Sequence, residues 1–198
     1  MNNKALVLAS TSPRRKELVS KFDVSITLAA PNCDETLDSN KSFKDAIMDL
    51  ALRKAKAVQP KHSNALILAA DTLVILENEA LGKPKDAKEA VSMLKKLSGK
   101  THEVITGATL LKKDQYVLLN SAAFVTFQAL DDEDIETYVA SHEPFGKAGA
   151  YAIQGLGAKF VKSIKGDYYA IMGLPVNKVY NALKCYQKGN LFEDCNLI

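Results

Sequence analysis

The stretch Leu6-Val7-Leu8-Ala9-Ser10-Thr11-Ser12-Pro13-Arg14-Arg15-Lys16-Glu17-Leu18 constrains the fold more than any other part of the chain. Its apolar run reads as a buried strand. The run stops at hydroxyl residues, Ser12 is placed to cap a helix, and Pro13 supplies a good first helical position. The first turn of that helix is cationic, with Arg14, Arg15 and Lys16 in succession. A helix N-terminus already carries partial positive charge and unpaired N–H groups, so each poorly placed cation costs roughly 0.3–1 kcal/mol. A bound anion, phosphate first among candidates, would take donors from both the backbone and the guanidinium groups. A solvated basic turn with no ligand is the plainer alternative.

At 198 residues the chain fits one domain or one two-lobed unit. Apolar residues make up 47% and charged residues 25%, the profile of an ordinary soluble globular protein. The net charge of +3 provides no broad basic field, which argues against nucleic acid as a partner. Cys33, Cys185 and Cys195 have no metal or redox spacing, and no signal-peptide pattern stands at the N-terminus. Reduced thiols and a cytoplasmic location are the expectation. The longest apolar run, from Ala65 to Leu76, is interrupted by Asp71 and too short to span a bilayer, so no membrane role is expected.

Helical spacing is plain at Phe43, Ile47, Leu50, Ala51, Lys54 and Val58, with Ser42 as cap. A second helix starts at Asp86, with Glu89 as its capping-box partner, and stops at Gly99. A third runs from near Asp131 and ends before Pro144, and a fourth follows Pro175. Strand-like segments cover 24–29, 65–76, 103–112 and 116–127, with a pair at 158–164 and 168–172 read as a hairpin. Parallel βαβ at the start and hairpins later predict an α/β fold with a mixed sheet.

Asp71 stands out inside Leu66-Ile67-Leu68-Ala69-Ala70-Asp71-Thr72-Leu73-Val74-Ile75. A carboxylate buried there must end a strand, bind a cation or act as a base; a structural Asp at a bulge is the plain alternative. Asp34-Glu35 is an acidic pair in a polar loop, ordinary surface unless it joins Asp71 to hold Mg²⁺. Lys54 lies on the inward stripe of its helix, to snorkel or to reach an anion. Gly82-Lys83-Pro84 is a turn presenting one lysine. The segment Gly149–Gly157 is a glycine-spaced loop that permits close approach to a ligand, and Gln154 within it could read a base edge. His62, His102 and His142 have no metal spacing and read as surface or strand residues. Neither a dinucleotide fingerprint, a GxxxxGK[ST] loop nor a Gly-x-Ser-x-Gly elbow is present. The residues alone point to metal-assisted phosphoryl chemistry and no further.

Leu8-Ala9-Ser10-Thr11-Ser12-Pro13-Arg14-Arg15, Ala70-Asp71-Thr72, Leu81-Gly82-Lys83-Pro84, Lys96-Leu97-Ser98-Gly99-Lys100-Thr101-His102, Lys147-Ala148-Gly149-Ala150-Tyr151-Ala152-Ile153-Gln154-Gly155 and Gly173-Leu174-Pro175 follow one another in an order and spacing that resembles the Maf family of nucleoside triphosphate pyrophosphatases. The resemblance implies one catalytic domain over 1–187 with a tail at 188–198. It also implies an elongated, two-lobed α/β fold similar to inosine triphosphate pyrophosphatases (Maf/Ham1-like), with a nucleotide cleft between lobes. Hydrolysis between the α- and β-phosphates would give a monophosphate and pyrophosphate, with Mg²⁺ or Mn²⁺ as divalent metal ion. Asp71 resembles the family's general base and also a metal contact, and Glu35 resembles the metal-associated acid. Ser10, Arg15, Lys54 and Lys83 match the phosphate-binding set.

Arg14, Thr72 and Gln154 resemble the specificity residues of the dTTP/UTP branch, whose substrates extend to modified pyrimidine triphosphates. A homodimer is implied as well. The family is also associated with arrest of septum formation, so a nucleotide-binding regulator of division with little hydrolysis is the alternative. Gly146 departs from the pattern, because an Asp usually stands at that place.

Overall fold

In the computed structural model, which describes residues 5–189, the opening strand β1 (Ala5–Ala9) has a parallel partner on each side. Strand β2 (Ser25–Ala29) pairs with it from Ala5 opposite Ser25 to Ala9 opposite Ala29. Strand β3 (Leu66–Leu76) pairs with Leu6, Val7 and Leu8 through Leu66, Ile67 and Leu68. Parallel neighbours need crossovers, and helices α1 (Pro13–Val19) and α2 (Phe43–Val58) lie in the two connections. Both expected helix starts form: Ser12 Oγ accepts from Arg15 N–H, and Ser42 Oγ from Asp45 N–H.

The later strands are β4 (Glu79–Leu81), β5 (Thr101–Lys112), β6 (Gln115–Phe127) and β7 (Val161–Gly166), with strand order β2-β1-β3-β5-β6-β7. Strand β4 is antiparallel to β3, and β7 to β6, so the sheet is mixed as expected. The remaining helices are α3 (Ala87–Leu97), α4 (Asp132–Ala140), α5 (Tyr168–Met172) and α6 (Val176–Gln187). Two compact units result. One holds the residues up to Asp71, Thr106–Ser121 and those from Gly173 on, and the other holds Thr72–Ile105 and Ala122–Met172.

In the first unit, Val7, Ala9, Leu52, Ala55, Val58, Ile67, Ala69 and Leu111 form one buried cluster. The apolar stripe of α2 supplies three of these, and each large aliphatic buried there contributes roughly 1.5–3 kcal/mol. Gly107 of β5 sets the height of α2: a Cβ there would meet Ile47 C at 2.7 Å and Met48 N at 2.8 Å. Only glycine lets the helix backbone come down on the strand at that point.

The second unit is built around rings. Phe127 stands edge-on to His102 and Tyr151, with centroids 5.0 and 4.9 Å away, and Tyr138 packs edge-on against Phe160 at 5.0 Å. Such pairs are worth about 0.5–1.5 kcal/mol beyond area burial.

Two expectations fail. The segment 168–172 is helix α5 rather than the second strand of a hairpin, and 158–160 lies in a 3-10 turn. Strand β7 pairs with β6 instead, while Asp167 accepts from Tyr169 N–H and so favours a helical turn. The three cysteines are also not all reduced, since Cys33 is a free thiol but Cys185 is disulfide-bonded. The expected tail from 188 lies outside the described residues from 190 onward. Among the described residues no helix is long and apolar enough to cross a membrane.

His102 is a strand residue of β5, buried at 1% exposed, with Nε2 2.8 Å from the Tyr151 hydroxyl. Its Nδ1 has no hydrogen-bond partner. Burial lowers its pKa from 6.5 to about 4. A folded-state value below the unfolded one means the neutral ring is what the fold accommodates. The stability linked to it is therefore present above pH 6.5 and lost as pH falls toward 4. Urea unfolding of the wild type should thus lose about 2–3 kcal/mol more between about pH 7 and pH 4.5 than His102→Gln does. Parallel losses in the two proteins would contradict this account of the ring.

Candidate active site

The first unit gathers four charged side chains whose positions follow from local structure. Asp71 lies on β3 just past Leu68, the last residue opposite β1, where the ladder between two parallel strands has ended. Ser10 follows the end of β1. The carboxyl ends of parallel strands are where α/β sheets leave room for ligands. Lys54 reaches Asp71 from the buried face of α2, and its Nζ donates to Asp71 Oδ2 and sits 2.8 Å from Glu35 Oε1. Arg15 completes the group, with Nη2 3.5 Å from Asp71 Oδ1 and Nε donating to the Gly173 carbonyl at 2.9 Å.

Burial makes these contacts matter. The side chains of Lys54 and Asp71 are 6% and 11% exposed, whereas that of Glu35 is 52% exposed. An unpaired charge at such depth would be costly. Two cations and two carboxylates balance one another, so Arg15 already has an internal anion in Asp71. The cationic helix start needs no ligand to explain Arg15. An incoming phosphate would have to share Arg15 and Lys54 with the carboxylates.

The acidic loop is held by Arg53, which no sequence motif singles out. It donates through Nη1 to the Asp34 carbonyl and through Nη2 to the Thr36 carbonyl at 2.8 Å, while its Nε meets Asp49 at 3.3 Å. Its targets are backbone oxygens, which leave no trace in side-chain patterns. Asp34 turns away to accept from Thr36 N–H at 2.9 Å, and the Thr36 bonds hold its carboxyl below the usual range. Only Glu35 of the pair reaches Lys54.

Mg²⁺ is commonly held by one or two carboxylates together with substrate phosphates. Asp71 and Glu35, converging on one ammonium, supply such a pair. Among the described residues, no three His, Cys, Asp or Glu side chains gather to hold a metal unaided. The donor set therefore fits a divalent ion that arrives with phosphate oxygens.

Ser10 is buried and its Oγ accepts from Ser12 N–H at 3.1 Å, so it shapes the turn into α1. Arg14 follows in the same turn, half-buried. The remaining expected residues belong to the second unit. Thr72 is next to Asp71 on β3, where successive side chains alternate between faces. Lys83 is exposed after β4, in a turn tied to the glycine loop by Gly149 N–H donating to the Gly82 carbonyl at 3.0 Å.

Gln154 is exposed on that loop. The glycines around it serve approach to the protein's own side chains: a Cβ on Gly155 would strike the Glu143 carboxylate, and one on Gly157 would lie 2.9 Å from Tyr138 Oη. What the backbone at Gly155 and Gly157 approaches closely here is Glu143 and Tyr138 of the chain itself. Gly146 has φ +73 with open space where a Cβ would stand.

The family model described as Maf-like protein matches residues 5–186. The dTTP/UTP pyrophosphatase of Bacillus cytotoxicus is 46% identical over 186 residues, covering 94% of this chain and 97% of the relative. Its counterpart from Bacillus mycoides is 47% identical over 179 residues, covering 90% and 94%. The solved structure of the Staphylococcus aureus Ham1 protein aligns with a TM-score of 0.46 and 14% identity, over 63% of this chain and 72% of that one. The chain belongs to the Maf family.

The paired charges predict a coupling. Lys54→Met leaves buried Asp71 paired with Arg15 and should destabilise the protein by about 3 kcal/mol in urea unfolding. Adding Asp71→Asn to that variant should restore part of the loss, giving a coupling energy above about 1 kcal/mol. Simple additivity of the two single changes would mean the pair is not an energetic unit.

Proposed function

We propose that this chain is a nucleoside triphosphate pyrophosphatase that hydrolyses dTTP and UTP, and modified pyrimidine triphosphates with them. The observation that carries the reading is the buried Asp71, placed at the end of a parallel ladder and flanked by Lys54 and Arg15. The names of the two Bacillus relatives, dTTP/UTP pyrophosphatase, supply the substrate class.

In the proposed reaction Asp71 takes a proton from water as the water oxygen bonds to the α-phosphorus. The bond from that phosphorus to the bridging oxygen breaks, and pyrophosphate leaves with that oxygen. The nucleoside monophosphate remains. General-base assistance of this kind is typically worth about 10²–10⁴-fold. Ser10, Arg15, Lys54 and Lys83 bind phosphate oxygens, and the charge that builds on those oxygens is met by the three cations. Asp71 and Glu35 would hold Mg²⁺ or Mn²⁺, which supplies further positive charge to the phosphates.

Arg14, Thr72 and Gln154 select the base. This selection rests on the family resemblance, as do one catalytic domain over 1–187, the homodimer and the cytoplasmic location.

The test is pyrophosphate release from dTTP, UTP, CTP, GTP, ITP and 7-methyl-GTP, with and without Mg²⁺ or Mn²⁺. The reading predicts metal-dependent release that favours dTTP and UTP. A preference for 7-methyl-GTP would retain the reaction and remove the base-selecting triplet. Nucleotide binding without release from any of them would instead make the chain a nucleotide-binding regulator.

A further inference from the structure

Gln154 is exposed and sits on a loop without regular strand or helix, yet a base-reading amide must be held still to discriminate. The chain contains a device that does this. Helix α4 ends near Tyr138, and Glu143 follows a few residues on. The Tyr138 hydroxyl donates to Glu143 Oε1 at 2.9 Å and also accepts from Ala152 N–H at 3.1 Å. Glu143 Oε2 accepts from Leu156 N–H at 3.0 Å and Oε1 from Gly157 N–H at 3.1 Å. Backbone donors on both sides of Gln154 are thereby tied to one tyrosine–carboxylate pair. Tyr138 is itself fixed, being 1% exposed and packed edge-on against Phe160.

We infer that Glu143 is the positioning residue for Gln154: with Tyr138 it clasps the Ala152–Gly157 segment and so sets base selection. The inference rests on the reading of Gln154 given above. Three further observations support the clasp. Gly155 and Gly157 leave no room for a Cβ because the Glu143 carboxylate and the Tyr138 hydroxyl occupy that space. Burial pushes the Glu143 carboxyl up, but the bonds from Leu156, Gly157 and Tyr138, with the charge of Lys147, outweigh burial and hold it below its ordinary value. Lys147 in turn donates to the backbone carbonyl of Glu143 and, at 3.5 Å, to that of Phe145.

Glu143→Ala removes the acceptor of two amides and a hydroxyl together. Amide exchange at Leu156 and Gly157 should speed up by at least ~10-fold, with global stability retained. The KM for dTTP should rise ~10-fold and the ratio of kcat/KM between dTTP and GTP should shrink ~10-fold, while kcat falls no more than ~3-fold. Glu143→Gln keeps one acceptor oxygen and should recover part of both effects. Should Glu143→Ala not fold, Gly155→Ala displaces the carboxylate without deleting it and should give the same signature. Unchanged amide exchange would overturn the clasp. Faster exchange with wild-type KM and nucleotide ranking would overturn its role in selection. A wild type that releases no pyrophosphate would overturn the proposed activity and the selection role with it, whereas the exchange result judges the clasp alone.

Discussion

The contact between Lys54 and Asp71 is the interaction on which the rest depends. Two opposite charges are buried together on α2 and β3, and each offsets the cost of burying the other at that depth. The pairing requires α2 to lie close to the sheet, which Gly107 permits by presenting no side chain to the helix backbone at Ile47 and Met48. It also requires β3 to continue past its ladder with β1, so that Asp71 lies beyond the last residue opposite β1. Arg15 and Glu35 then attach to the pair from α1 and from the loop that Arg53 holds. The result is a charge-balanced group rather than a purely cationic pocket.

That balance decides what phosphate binding must do. A triphosphate brings several negative charges, and Arg15 and Lys54 are already engaged by carboxylates. Under the proposed reading, a divalent ion held by the same carboxylates would free the two cations to face the phosphates.

Much of this was legible in the chain. The caps at Ser12, Ser42, Asp86 and Asp131 were readable because a hydroxyl or carboxylate bonding a backbone N–H is a local event. Lys54 was readable because its place on an apolar stripe is a matter of helical period. Asp71 was readable because one carboxylate in a long apolar run needs a reason. What escaped depends on distant partners: Arg53 and Glu143 act on backbone groups of loops far along the chain. The segment 168–172 reads as a strand by its aromatics, but β6 already had its antiparallel partner in β7. Nothing local in the sequence places the strand residue His102 beside Phe127 and Tyr151.

The central claim is that the carboxylate held by Lys54 and Arg15 performs the chemistry. Its most direct test is the rate of pyrophosphate release from dTTP at saturating metal, measured for the wild type and for Asp71→Asn. Asparagine keeps the shape and an oxygen for Lys54, which also retains Glu35. The account predicts a folded variant, by circular dichroism and urea unfolding, with kcat lowered at least ~10²-fold. A folded Asp71→Asn protein turning over at close to the wild-type rate would contradict it.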